Sequence, residues 1–146
     1  MMNLAFSYPK SRFEPATLVD LNDRAERKRL SRSALLGFFK LAAAWQLRDE
    51  ETRELLGGMS PSTFYEWKKN PERVLEVDRI TRISYLLGIY KSLHILHNDK
   101  LADEWVKLPN TNAIFGGRTP LSTMLAGGML AMQTTRKLLD ARRGGL

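Results

Sequence analysis

Residues 47–70 read LRDEETRELLGGMSPSTFYEWKKN. Asp49 is placed to cap a helix with Thr52 in its first turn and Leu55 and Leu56 on its buried side, and Gly57-Gly58 then ends it by reaching positive φ. Ser60-Pro61 starts another helix: the serine oxygen accepts from free backbone amides, and proline sits where a helix needs no donor. This second helix runs to about Lys69 and stops at Asn70-Pro71. Two short helices that cross steeply need Gly58 in the turn, with Met59 filling the gap beneath, and they turn Phe64 and Trp67 to a shared core. The layout is that of a helix-turn-helix.

Working outward, the flanking segments are helical too. From Ser31 to Arg48, Leu35, Phe38 or Phe39, Ala42, Trp45 and Leu47 recur at steps of three to four. Over Glu76 to His97, Ile80, Ile83, Leu87 and Tyr90 form one strip, and Leu86, Ile89, Leu93 and Leu96 a neighbouring one. Together they are wider than a single amphipathic face, which makes this helix a central strut or one side of a dimer interface. Lys100 to Leu108 is a shorter helix carrying Trp105, PNTNAIFGG is loop, and Pro120 to Leu125 and Met129 to Arg143 are two further helices. No alternating segment is long enough for a sheet, so the chain is all-α.

A chain of 146 residues with 43% hydrophobic content can bury a core and has room for one domain or two small units sharing one. It has no cysteine, which removes disulfides and thiolate chemistry and suits a reducing, cytoplasmic setting. The opening MMNLAFSYPKSRFEP does not read as a secretory signal, and Ala34 to Leu47 falls short of the roughly 20 residues that cross a bilayer. No membrane partner is expected. Net charge is +7, and the excess is uneven: residues 109–146 hold five cations against one carboxylate. Such a balance suits polyanions or an acidic protein surface. RAERKR, before Leu30, reads as a DNA arm or equally as the solvated face of the first helix.

In the second helix of the turn, Ser60, Ser62, Thr63, Tyr65, Glu66, Lys68 and Lys69 face solvent or a DNA groove. Ser and Thr reach base edges or phosphates, Glu66 accepts from a cytosine amino group, and Lys68 and Lys69 suit phosphates. The unit itself is nearly neutral, so a single copy binds weakly and dimerisation is needed for useful affinity.

Residues 105–145, WVKLPNTNAIFGGRTPLSTMLAGGMLAMQTTRKLLDARRGG, add a second pattern. A tryptophan, Pro-Asn, G-G-R-T-P-L opening a helix, and an amphipathic helix ending in basic residues and glycines resemble the toxin-binding domain of the Xre/MbcA/ParS antitoxin family. With the upstream helix-turn-helix the resemblance covers about residues 31–146. It implies an antitoxin of a type II toxin-antitoxin module that forms a homodimer, binds operator DNA to autoregulate, and joins its cognate RES-domain toxin in a higher hetero-oligomer. Toxins of that class degrade NAD, and the antitoxin's carboxyl-terminal region obstructs their active site. By matching position, Arg118 belongs to the signature with Thr119, Pro120 and Leu121, while Arg136, Asp140, Arg142, Arg143, Gly144 and Gly145 lie on or near the toxin-facing segment. The expected organisation is a flexible or loosely docked segment over 1–30, a helix-turn-helix and dimerisation region over 31–98, and a small helical toxin-binding domain over 99–146.

Plainer accounts compete. Arg142 and Arg143 also complement the negative end of a helix macrodipole, and Gly144-Gly145 also simply stops a helix. A stand-alone transcriptional regulator whose carboxyl-terminal region only dimerises would carry the same helix-turn-helix. An enzyme is not expected, nor a cofactor: there is no Walker lysine pattern around FGGRTPLSTMLAGG, no G-x-S-x-G and no HExxH. The glycine pairs read instead as turns, with Thr119 as a cap and Pro120 in a first helical turn. His94 and His97, three apart, have a spacing that can approach one metal, but only Asp99 and Glu104 lie near them in sequence and no metal is expected.

Overall fold

A computed structural model describes residues 19–144. They form α1 (Arg24–Ala44), α2 (Asp49–Leu55), α3 (Pro61–Lys69), α4 (Val77–Leu96), α5 (Asp99–Glu104) and α6 (Pro120–Arg143), with a 3-10 turn at Trp105–Lys107 and no strand among the described residues. None of these helices is long and apolar enough to cross a membrane.

α4 is the central strut. Ile80, Ile83, Leu86, Ile89 and Leu93 are wholly buried along it, while Leu87, Tyr90 and Leu96 pack at the margins. It lies between α1 and α6 and meets α5 at its far end. Each such burial contributes roughly 1.5–3 kcal/mol, enough for one helix to organise the rest. The core continues through Phe38, Trp45 and Phe64 on one side and through Trp105, Phe115 and Met132 on the other.

Several boundaries depart from the expected ones for local reasons. α1 begins at Arg24, not Ser31, because Asp23 Oδ1 accepts from the Ala25 amide at 2.9 Å. Its first turns are tied down by Arg27, which donates to the carbonyls of Leu75 and Leu21, and by Ser31, whose hydroxyl accepts from the Leu75 amide. The cap of α2 is Arg48 rather than Asp49: Glu51 reaches back to the Arg48 amide at 2.9 Å, leaving Asp49 as a first-turn acid. The segment expected as one helix over 100–108 is α5 followed by the 3-10 turn.

The loop from 109 to 119 is hydrogen-bonded at its base. The Asn110 amide donates to the Arg118 carbonyl, and the Gly117 amide donates to the Asn110 carbonyl, both at 3.0 Å. Phe115 at its tip is buried edge-to-face against Trp105, with centroids 5.8 Å apart. Thr119 caps α6 by accepting from the Ser122 amide, with Pro120 following. α6 is broken at Gly128 (φ 64, ψ −145), so the two expected helices meet at a kink with no loop between them.

Candidate nucleic-acid interface and carboxyl-terminal face

The corner between α2 and α3 is built as its residues require. Gly57 (φ 101) and Gly58 (φ 86) take conformations open to glycine, and Ser60 Oγ accepts from the Thr63 amide at 3.2 Å ahead of Pro61. Phe64 is buried and Trp67 half-buried. Two arginines hold the turn from outside it. Arg53 donates to the Met59 carbonyl at 3.1 Å, and Arg79, at the start of α4, donates to the carbonyls of Leu56 and Gly58 at 2.8 and 3.2 Å while its guanidinium lies over the Trp67 ring. Arg79 is a part of this site that sequence reasoning missed. Its only signal was a cation one turn into the next helix.

All seven side chains assigned to a groove, Ser60, Ser62, Thr63, Tyr65, Glu66, Lys68 and Lys69, are exposed on α3 or its cap. They are not equally available. Ser60 is engaged with the Thr63 amide and the Thr63 and Ser62 hydroxyls, and Tyr65 donates to Asp49 Oδ2 at 3.3 Å across the corner. Glu66 faces Arg73 at 4.0 Å, and Lys68 lies over the Phe64 ring. Lys69 projects with no hydrogen bond, ion pair or ring contact among the described residues.

The carboxyl-terminal residues divide differently. Arg136 lies flat on α4, where a Cβ at Gly88 would stand 2.5 Å from its guanidinium; it donates to the Ser84 carbonyl at 3.3 Å and pairs with Asp140 at 3.5 Å. Ser92, buried on α4, donates to Asp140 Oδ1 at 3.2 Å and accepts from Arg143 at 3.3 Å. So α4 gathers Arg136, Asp140 and Arg143 into one seam. Arg118 folds back on the Phe115 carbonyl, Arg142 and Gly144 are exposed, and Gly145 lies outside the described residues.

On the opposite flank of α6 from this seam, an apolar groove of 220 Å³ runs between the loop and the helix, lined by residues including Ile114, Phe115, Gly127, Leu130 and Thr135. Leu130 is 72% exposed, just past the Gly128 kink. Sequence reasoning gave this leucine no role. Its position one step off the buried face, after a glycine pair, was the available sign.

His94 and His97 are not a pair. α4 ends at Leu96 and His97 is already extended, while His94 sets Nδ1 3.1 Å from Asp99 and Nε2 2.8 Å from Asp103. Burial pushes the His94 pKa down, but hydrogen bonds and charge from Asp103 and Asp99 outweigh it and hold the ring above its ordinary value. Among the described residues no cluster of His, Asp and Glu is arranged to hold a metal.

Residues 23–88 match the antitoxin Xre-like helix-turn-helix domain, and residues 92–145 match the antitoxin Xre/MbcA/ParS C-terminal toxin-binding domain. The chain is also similar to the uncharacterized protein y4oB of Sinorhizobium fredii, with 39% identity over 112 residues that span 76% of this chain and 84% of that protein. No solved structure matches it. The two matched regions are separated only by residues 89–91, inside α4.

Proposed function

Because the chain belongs to the Xre/MbcA/ParS antitoxins, with a helix-turn-helix and a toxin-binding domain in order, we propose that it neutralises a RES-domain, NAD-degrading toxin and binds its own operator. The observation that carries this reading is that one body presents an exposed α3 face and, on α6, both an apolar groove and an exposed basic end. A cleft that accepts a phosphate-rich dinucleotide needs anion-binding groups and acidic catalytic groups. Arg142, which makes no hydrogen bond or ion pair among the described residues, and Arg143 pair with the latter, while the groove around Leu130 seats an apolar element of the toxin. Arg136 and Asp140 then act mainly by fixing α6 on α4, and Arg118 by closing the loop that aims it. On the other face, α3 enters a groove of operator DNA, with Lys68 and Lys69 on phosphates and Ser62 and Thr63 toward base edges. A homodimer doubles these contacts, and toxin binding draws dimers into a larger complex.

Co-expression with the neighbouring reading frame tests the first half. The full chain should rescue growth that the neighbour arrests. Truncation after Asp140, or Arg142→Glu with the fold intact by circular dichroism, should abolish rescue while leaving operator binding unchanged. If both variants rescue fully, the carboxyl-terminal region is a dimerisation element and the protein a plain regulator.

A further inference from the structure

The residues that open α1, RAERKRLSR over 24–32, hold five cations against one carboxylate. Two of them, Arg24 and Arg27, stand in the first turn of the helix, where the macrodipole disfavours positive charge. Three of the five have partners inside the chain. Arg27 donates to the Leu75 and Leu21 carbonyls, Arg29 pairs with Glu26 at 2.7 Å, and Arg32 pairs with Glu72 at 2.5 Å. Arg24 and Lys28 are exposed and make no hydrogen bond or ion pair among the described residues. With Arg32 they recur at every fourth position, so the three stand in one strip along the helix.

Two contacts place this strip. Phe39 meets Phe64 edge-on with centroids 5.9 Å apart, which holds α1 against α3. The Arg32–Glu72 pair then joins the strip to the segment that leaves α3 just after Lys68 and Lys69. We propose that Arg24, Lys28 and Arg32 form a second phosphate-contacting strip, which engages the DNA backbone beside the groove that α3 enters. The inference rests on the reading of α3 as the DNA-binding element.

The dimensions suit a strand. Eight residues of helix rise about 12 Å, which equals the axial rise of three to four phosphates of one strand at about 3.4 Å each. A polyanion also relieves the unfavourable placement of Arg24 in the first turn, which an apolar partner would not. No aromatic side chain is exposed on α1 to anchor a protein interface, the exposed large aromatic of the described residues being Tyr65 on α3. The nearly neutral helix-turn-helix needs such additional contacts.

The test is fluorescence-anisotropy titration of the full chain with two duplexes, one from upstream of its own reading frame and one scrambled, between about 50 and 200 mM salt. Arg24→Ala with Lys28→Ala should flatten the slope of log affinity against log salt by about 0.9 for each phosphate left without its cation, and should weaken both duplexes alike. Arg24→Lys with Lys28→Arg should keep the original slope. The alanine variant should melt no lower than the unsubstituted chain, since it removes Arg24 from the positive end of a helix. An unchanged slope in that variant, when Lys68→Ala with Lys69→Ala flattens it, overturns the strip and leaves the α3 reading standing. A weakened toxin complex with unchanged DNA binding overturns it in favour of a protein contact. If the unsubstituted chain binds neither duplex, the α3 reading and the strip fall together.

Discussion

His94 shows how little a residue's spacing says about its job. Its distance from His97 suggested two rings on one helical face, but α4 ends between them and the ring instead bridges Asp99 and Asp103. Because its pKa in the folded chain lies above the ordinary 6.5, the charged ring stabilises the fold. That contribution is fully present below pH 6.5 and is lost as pH rises through the raised pKa. The melting temperature should therefore fall from about pH 6 towards about pH 8, and His94→Gln should flatten that dependence; a difference that persists in the variant would place the titration elsewhere. Arg79 and Ser31 were equally illegible, because sequence shows a donor but not the carbonyl or amide it meets across a turn. The α3 face was different: a serine cap, a proline and two aromatics one turn apart fixed which side chains face outward.

At the scale of elements, punctuation was easier to read than extent. Gly57-Gly58, Ser60-Pro61 and Thr119-Pro120 each mark a real boundary because they change backbone torsions or supply a cap directly. The start of α1 escaped because apolar periodicity begins only at Leu30, whereas the helix is started by Asp23 and held by polar contacts. Gly128 is the sharpest case. The glycine pair foretold a break, but not that the helix would continue through it with a single residue at φ 64, ψ −145. A side chain there meets no neighbour, so the cost of Gly128→Ala comes from the backbone alone. It should destabilise by about 1–3 kcal/mol in urea unfolding. It should also weaken the toxin complex by re-aiming Leu130, and a variant as stable and as tightly bound as the original would show the kink to be idle.

At the scale of the molecule, α4 lies under both faces. Its amino end holds the α2–α3 turn through Arg79, and its middle holds α6 through Gly88 and Ser92. Gly88 makes this testable by arithmetic. Alanine there gains about 1 kcal/mol of helix propensity but displaces Arg136 from the Ser84 carbonyl, which costs about 0.5–1.5 kcal/mol. Gly88→Ala alone should thus leave unfolding nearly unchanged, whereas in an Arg136→Ala background it should stabilise by about 1 kcal/mol; equal effects in both backgrounds would mean the two residues are uncoupled. Only residues 89–91 of this helix separate the two matched regions, and no loop divides them. Exchange of halves between relatives is constrained accordingly. A recipient that acquires a new α6 without the matching stretch of α4 inherits a lock without its keyhole, so the toxin-binding domain and the helix-turn-helix are bound to travel through evolution with a shared piece of helix.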